Sequence, residues 1–280
     1  MIVYRTKKDL TRHLDALRES NKSIGLVPTM GALHQGHSSL VNMAVEQNDA
    51  VVVSIFINPS QFNDPADLKM YPRTLNADLE LLQSLEADVV FVPSVEEMYP
   101  EEDTRVFDLQ GLDSVMEGVH RVGHFNGVAQ IVSKLFEIIR PHRAYFGQKD
   151  FQQLVIVRRL VELLNMDLEI VACPIVREED GLAMSSRNIR LSRDERKLAP
   201  KIYITLQLAR EKRATLSPAD VISWVKAQFE EQPNMQLEYF EIVEDKALRP
   251  VHDWKEKVNK VGCMAVQIGS VRLIDNLIFD

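Results

Sequence analysis

The chain has 280 residues, 45% of them hydrophobic and 26% charged, with 11 Gly and 12 Pro. That length holds a sizeable core in one or two domains, and the composition excludes disordered, collagenous and coiled-coil descriptions of the whole chain. Acidic residues outnumber basic ones, 41 to 33, for a net charge of −8. This argues against a general nucleic-acid binder, because phosphate neutralisation needs a basic face, but leaves room for a local basic pocket.

Along the chain, apolar runs alternate with helical patterns. Residues 23–29 (SIGLVPT) read as a buried strand, 36–48 as a helix with Leu40, Val41, Ala44 and Val45 on one face, and 50–57 (AVVVSIFI) as a second strand. A helix over 75–86 and a strand over 88–92 follow. Residues 128–140 form a strong helical pattern stopped by Pro141. A short strand over 143–146, a helix over 151–164 and a strand over 168–176 complete this part. Continuous apolar strands alternating with helices predict an α/β fold, a doubly wound, Rossmann-like parallel sheet.

The remainder changes character. Helices are expected over 193–213 and 218–231, a half-exposed strand over 236–243 and a final hairpin over 262–268 and 271–274. We expect a nucleotide-binding domain over 1–178 and a smaller α+β C-terminal domain over 179–280 that closes the active site, with REEDG near the boundary. Cys173 and Cys263 are too few for a disulfide framework or a zinc site and read as buried thiols in a reducing compartment. The apolar start of MIVYRTKKDL is too short for a signal peptide, and no run approaches the roughly 18 residues of a membrane span. The expectation is a soluble, cytoplasmic protein.

Residues following the strands carry the chemistry. In PTMGALHQGH, Gly31 and Gly36 permit tight turns, and a helix starting near Gly36 would offer free N–H groups to an anion. His34 and His37, three apart, suit triphosphate oxygens at a scissile bond; a solvated turn or a partial metal site is the alternative. In FGQKDFQQ, Asp150 reads as a helix cap, Lys149 as a phosphate-meeting point charge and Gln153 as an amide one turn into the helix; a capped helix with a solvated lysine is the alternative. Met184, Ser185, Ser186, Arg187 and Asn188 suit a clamp on a polyanion; an ordinary polar loop or a helix cap is the alternative. Asn58 and Gln61, after the second strand, offer neutral amides, and the stretch through Tyr71-Pro72-Arg73 reads as a surface loop or a lid.

Together these segments resemble the pantothenate synthetase (pantoate–β-alanine ligase) family. PTMGALHQGH, VSIFINPSQF, YPRTL, GHFNGV, FGQKDFQQL and MSSRN stand in that family's order, densely over residues 23–190, with RLIDN matching near the end. The His-x-Gly-His turn also resembles the wider class of nucleotidyl-transferring α/β enzymes. The resemblance implies condensation of pantoate with β-alanine through a pantoyl-adenylate, releasing AMP and pyrophosphate. It implies ATP contacts by Met30, Gly31, Ala32 and Leu33 and by His34, Gln35, Gly36 and His37, with His37 the proton donor. It assigns further ATP contacts to Gly147, Gln148, Lys149 and Asp150, to Val176 at adenine, and to Met184, Ser185, Ser186 and Arg187. His37, His34 and Lys149 would be catalytic, and Gln61, Gln153 and Asn58 would hold substrate, with Arg121 and His124 as secondary candidates.

Mg²⁺ would arrive with ATP, with no dedicated protein cage, and a homodimer is implied. The family pattern is departed from at Gln148, where many members carry an acidic residue, and at Val122, where proline is common. A nucleotidyltransferase acting on a phosphorylated alcohol of the phosphopantetheine type is the runner-up enzyme, and a nucleotide-sensing module without turnover is the non-enzymatic alternative.

Overall fold

Strand β3 (Ala50–Ile55) is buried at every position, as a run of β-branched residues must be when neighbours lie on both edges and helices cover the faces. It stands in a parallel sheet with β1 (Ile2–Tyr4), β2 (Ile24–Thr29), β4 (Val89–Phe91), β5 (Arg143–Gly147) and β6 (Glu169–Cys173). Among the described residues this sheet has six strands in the order β1-β4-β3-β2-β5-β6. The computed structural model describes residues 1–63, 65–230 and 232–279.

The strand order reverses at β2. The chain steps outward from β2 through β3 to β4, then returns to β2's other edge, where Leu26 pairs with Ala144 of β5. With right-handed crossovers, such a reversal sends the connecting helices to opposite faces and leaves a crevice beyond the carboxyl ends of the two strands. Helices α1 (Lys7–Glu19), α2 (Gln35–Gln47), α3 (Pro65–Met70), α4 (Leu75–Ser84), α5 (Val95–Met98), α6 (Glu117–His120), α7 (His124–Ile139) and α8 (Phe151–Leu163) complete this part of the chain. Both α2 and α7 pack on β2, and Val27, Val41, Val53, Leu82, Val90 and Tyr145 form one apolar cluster.

The chain divides into two compact units, Met1–Gln148 with Ile156–Pro174, and Lys149–Val155 with Ile175–Asp280. The second contains α9 (Arg193–Leu198), α10 (Lys201–Lys212) and α11 (Pro218–Glu230) and an antiparallel sheet of β7 (Met235–Glu244), β8 (Lys260–Ile268) and β9 (Val271–Ile278), in that order. Its core is built on Leu206, Val225, Phe240, Met264 and Phe279. The last position of the helix expected over 218–231 lies outside the described residues. No helix among the described residues is long and apolar enough to cross a membrane.

Several elements differ from the sequence expectations for identifiable reasons. The helix expected over 193–213 is two helices, because Pro200 lacks an N–H and stands between α9 and α10. Helix α7 begins at His124, not at 128, because Gly123 takes φ +81 and starts it beyond the reach of a purely apolar pattern. Strand β1 pairs Ile2 with Val89, but three residues, two of them exposed, give no periodicity to read. The segment expected as a loop or lid contains the short helix α3. Asp150 does not cap α8: Gln148–Asp150 is itself a 3₁₀ turn running straight into the helix, so the residue is already helical.

Cys173 and Cys263 are both buried and unbridged, and burial pushes the Cys173 thiol up to about 11. Asp103 is a buried carboxylate held by Arg105 at 2.7 Å and Lys134 at 3.1 Å, while its own carbonyl accepts from Gln130 at 2.7 Å. Hydrogen bonds from Arg105 hold its carboxyl well below the ordinary carboxylate range. A depressed native pKa contributes stability above the unfolded-state value and loses it as pH falls through the native one. Asp103→Asn should therefore flatten the acid limb of stability measured by urea midpoints between about pH 7 and pH 3; parallel curves for variant and wild type would contradict this.

Candidate active site

The chain leaves β2 at Thr29, whose hydroxyl donates to Ser54 O at 2.8 Å and accepts from Gly31 N at 3.2 Å. Gly31 and Ala32 both take positive φ, +78° and +51°, so the turn is left-handed and, at Ala32, strained for an L residue. A buried carboxylate from α4 holds it open. Asp78, 3% exposed, accepts from Ala32 N at 3.0 Å and Leu33 N at 2.8 Å, and from the Thr74 hydroxyl at 3.2 Å. A Cβ on Gly31 would sit 3.0 Å from Asp78 Oδ2 and 3.1 Å from Ile55.

Beyond the turn, two imidazoles cap α2. His34 is the N-cap residue; its Nδ1 accepts from Gly36 N at 3.1 Å, and its own N–H donates to His37 Nδ1 at 3.3 Å. This is a capping box in which histidines replace the usual hydroxyl and carboxylate. The rings lie 4.1 Å apart between centroids. With Nδ1 an acceptor in each, the neutral rings carry their protons on Nε2. At the helix start the imidazoles thus take up the N–H groups of His34 and Gly36. Gln35 lies in the same first turn.

A second cluster follows β3. Gln61 ends a 3₁₀ turn (Pro59–Gln61), and its amide reaches Met30 Sδ at 3.1 Å while accepting from Asn58 Nδ2 at 3.1 Å. Asn58 is 1% exposed. It donates to Gly127 O at 3.1 Å and accepts from the Tyr99 and Ser60 hydroxyls at 2.8 and 3.1 Å. Asn58 is therefore a buried brace under Gln61. His124 Nδ1 lies 2.7 Å from Gln61 O, a contact that requires a proton on Nδ1, and Arg121 approaches its Nε2 at 3.0 Å. Gly127 of α7 packs directly on this turn: a Cβ there would fall 2.3 Å from Ser60 O.

In the second unit, Lys149 and Asp150 lie within the 3₁₀ turn Gln148–Asp150, their charged groups 3.7 Å apart; Gly147, the last residue of β5, and Gln148 precede them in the first unit. Gln153 is half-buried in the first turn of α8. Val176 O accepts from Met184 N at 3.0 Å, Arg177 pairs with Ala183, and Glu178 N donates to Leu182 O. REEDG is thus a tight hairpin closing at Gly181, φ +91°. It delivers Met184, Ser185, Ser186 and Arg187, all half-buried, with Arg187 N donating to Ser185 Oγ at 3.2 Å. Asn188 ties the loop back to Glu178 at 2.8 Å and to Ala183 O at 3.1 Å. Among the described residues, no three His, Cys, Asp or Glu side chains gather to hold a metal ion.

Comparison with known proteins decides the family. The family model described as pantoate-beta-alanine ligase matches residues 2–278. This chain belongs to that family. The pantothenate synthetase of Bacteroides fragilis is 56% identical over 277 residues, 99% of this chain and 98% of the relative. That of Porphyromonas gingivalis is 51% identical over the full length of both chains. The crystal structure of the Thermus thermophilus pantothenate synthetase superposes with a TM-score of 0.92 at 43% identity, covering 99% of each chain. A Francisella tularensis pantoate-beta-alanine ligase, solved with a β,γ-ATP compound and β-alanine, gives 0.83 at 35% identity over 100% of this chain and 98% of that one.

Within this pantoate-beta-alanine ligase fold, sequence reading missed Asp78, Tyr99 and Gly127. As an acid in a helix's first turn, Asp78 reads as an ordinary dipole partner; its tie to a turn 45 residues away leaves no local signal. Asp78→Asn should keep the side chain's shape but turn a donor toward one of the two N–H groups. The expected cost is about 1–3 kcal/mol, that of an unsatisfied buried donor, read as a lowered urea midpoint; an unchanged midpoint would show the tether to be dispensable. Gly127→Ala forces the Pro59–Gln61 turn away, so we expect a cost of about 1–3 kcal/mol from overpacking, with loss of chemical-shift agreement at Gln61 in amide spectra.

Proposed function

We propose that this chain joins pantoate to β-alanine with ATP as co-substrate, through a pantoyl-adenylate. The observation that carries the reading is the His34–His37 capping box at the carboxyl end of β2, where the strand order reverses and open α/β sheets bind their ligands. The matching family model and the ligase named in close relatives support it.

In the first step a pantoate carboxylate oxygen bonds to the α-phosphorus and the bond to the β-phosphate oxygen breaks, releasing pyrophosphate. Anion attacks anion, so the step needs charge neutralisation where charge builds. We assign this to Nε2–H of His34 and His37, with Lys149, Ser185, Ser186 and Arg187 contacting phosphate oxygens and Val176 contacting adenine. Neutral imidazoles suffice for hydrogen-bond donation, because the proton on Nε2 is fixed by what Nδ1 accepts. Gln61 and Gln153 are assigned to pantoate, with Asn58 acting through Gln61.

In the second step the amine of β-alanine bonds to the activated carbonyl carbon, AMP departs with the acyl oxygen, and the ammonium loses a proton. Mg²⁺ is proposed to enter with ATP, its ligands phosphate oxygens and water, since it keeps several waters and is bound largely through substrate phosphates. We also propose a homodimer, to be read from light scattering of the eluted protein.

Incubation with ATP, pantoate and β-alanine tests the function: AMP and pyrophosphate should form in step with an amide product. A stable nucleotide-containing product without amide would instead identify the nucleotidyltransferase alternative. His37→Ala should lower pantoate-dependent ATP–pyrophosphate exchange by about 10²–10³, the range for losing one transition-state donor. A near-wild-type exchange rate would remove His37 from the role.

A further inference from the structure

The RLIDN stretch near the C-terminus has no part in the reading above, yet it breaks the rules of its strand. Along β9, buried and half-exposed positions alternate until Asp275 and Asn276, two consecutive polar residues that are both buried. Successive strand side chains point to opposite faces, and buried polar groups require partners. Those partners lie in the two segments of this unit to which nucleotide contacts are assigned.

Asp275 forms a bidentate ion pair with Arg177, 2.6 and 3.0 Å. Arg177 immediately follows Val176 and opens the hairpin leading to Ser185 and Arg187. Its guanidinium also donates to Gly181 O at 3.1 Å, at the hairpin's tip, and to Asn276 O at 3.3 Å. It stacks over the Tyr203 ring at 3.7 Å. Burial pushes the Asp275 carboxyl upward while Arg177 pulls it back. Asn276 turns the other way: its Nδ2 donates to the carbonyl of Lys149 at 2.9 Å, and its backbone N–H donates to Asp275 at 2.8 Å. Because β9 is the edge strand of its sheet, its backbone can also accept Arg177, at Asn276 O.

We propose that Asp275 and Asn276 are positioning residues that register the Lys149 turn and the 177–187 hairpin against one strand edge, so that both are set by a single rigid element. The proposal rests on the ligase reading, which assigns Lys149 and Arg187 to the triphosphate. Asn276 fixes the root of the lysine, Asp275 fixes the arginine that starts the hairpin, and the Asn276 N–H donates to the Asp275 carboxylate.

Asn276→Ala leaves the backbone bonds of β9 in place and removes the amide from Lys149 O. Pantoate-dependent ATP–pyrophosphate exchange should fall about 10–100-fold in kcat/KM for ATP, the cost of misplacing a reacting group by up to about 1 Å, while KM for β-alanine in the full reaction changes by less than about twofold. In a Lys149→Ala background the same substitution should cost less than about twofold, because the two act as one unit. A merely structural role predicts equal losses in both backgrounds, and that result, or a single-variant exchange rate matching wild type, overturns the proposal. If Asn276→Ala does not fold by circular dichroism, Asn276→Asp, nearly isosteric but lacking the donor, takes its place with the same expectations. Wild-type protein without exchange would sink the ligase reading itself. Calorimetric titration with ATP then judges the positioning claim separately: weaker binding by Asn276→Ala supports it, and an unchanged Kd overturns it.

Discussion

The backbone N–H groups of Ala32 and Leu33 end on one buried carboxylate, Asp78, and the architecture at the carboxyl end of β2 depends on that junction. Its two oxygens hold a left-handed turn that includes a non-glycine residue, a conformation that persists only where the surroundings over-determine it. Because the turn is held, α2 starts at a fixed place and angle. Because α2 starts there, His34 and His37 can cap it reciprocally. The positions of two imidazoles thus follow from a carboxylate that the chain delivers from α4.

The cap changes what the end of the helix offers an anion. An uncapped first turn presents backbone N–H groups and a diffuse partial charge. Here the imidazole Nδ1 atoms accept from the backbone of Gly36 and His34, so the rings carry donation outward to Nε2. Two directed donors, preorganised by the backbone that they cap, suit a reaction in which charge appears at defined oxygen atoms, because their dipoles need no reorganisation during the step. The same arrangement recurs at Gln61. Its amide is steadied by Asn58, and its carbonyl is fixed by His124.

What the sequence made legible was what is local. The continuous apolar runs gave the strands, glycine and proline gave most of the turns, and His34, His37 and Gln61 stood out because reactive side chains at strand ends are interpretable without a fold. The interruption between α9 and α10 at Pro200 is masked because the apolar pattern runs through it. The tethers were illegible for a different reason. Asp78, Gly127 and Asp275 act on backbone atoms or side chains far along the chain, and such bonds leave no residue-type pattern at either end: the N–H of Ala32 and the carbonyl of Ser60 are common to every sequence. RLIDN was visible as a motif but had no readable role, since nothing local says why two polar residues should be buried side by side in a strand.

Each unit applies the same principle with opposite polarity. In the first, a carboxylate accepts from the N–H groups of a loop; in the second, an amide donates to the carbonyl of a turn and a guanidinium binds the carbonyls of a hairpin and a strand edge. In both, backbone groups of a loop are satisfied by side chains: Asp78 and Asn276 reach in from other elements, and Arg177 spans the hairpin that it opens. Such bonds let short, polar loops be ordered with little regular structure of their own. A loop whose backbone bonded only to itself would need regular structure, and its side chains would then be set by helical or strand periodicity. Tethering from outside removes that restriction, so that His, Ser, Arg and Lys can be placed where charge must be met.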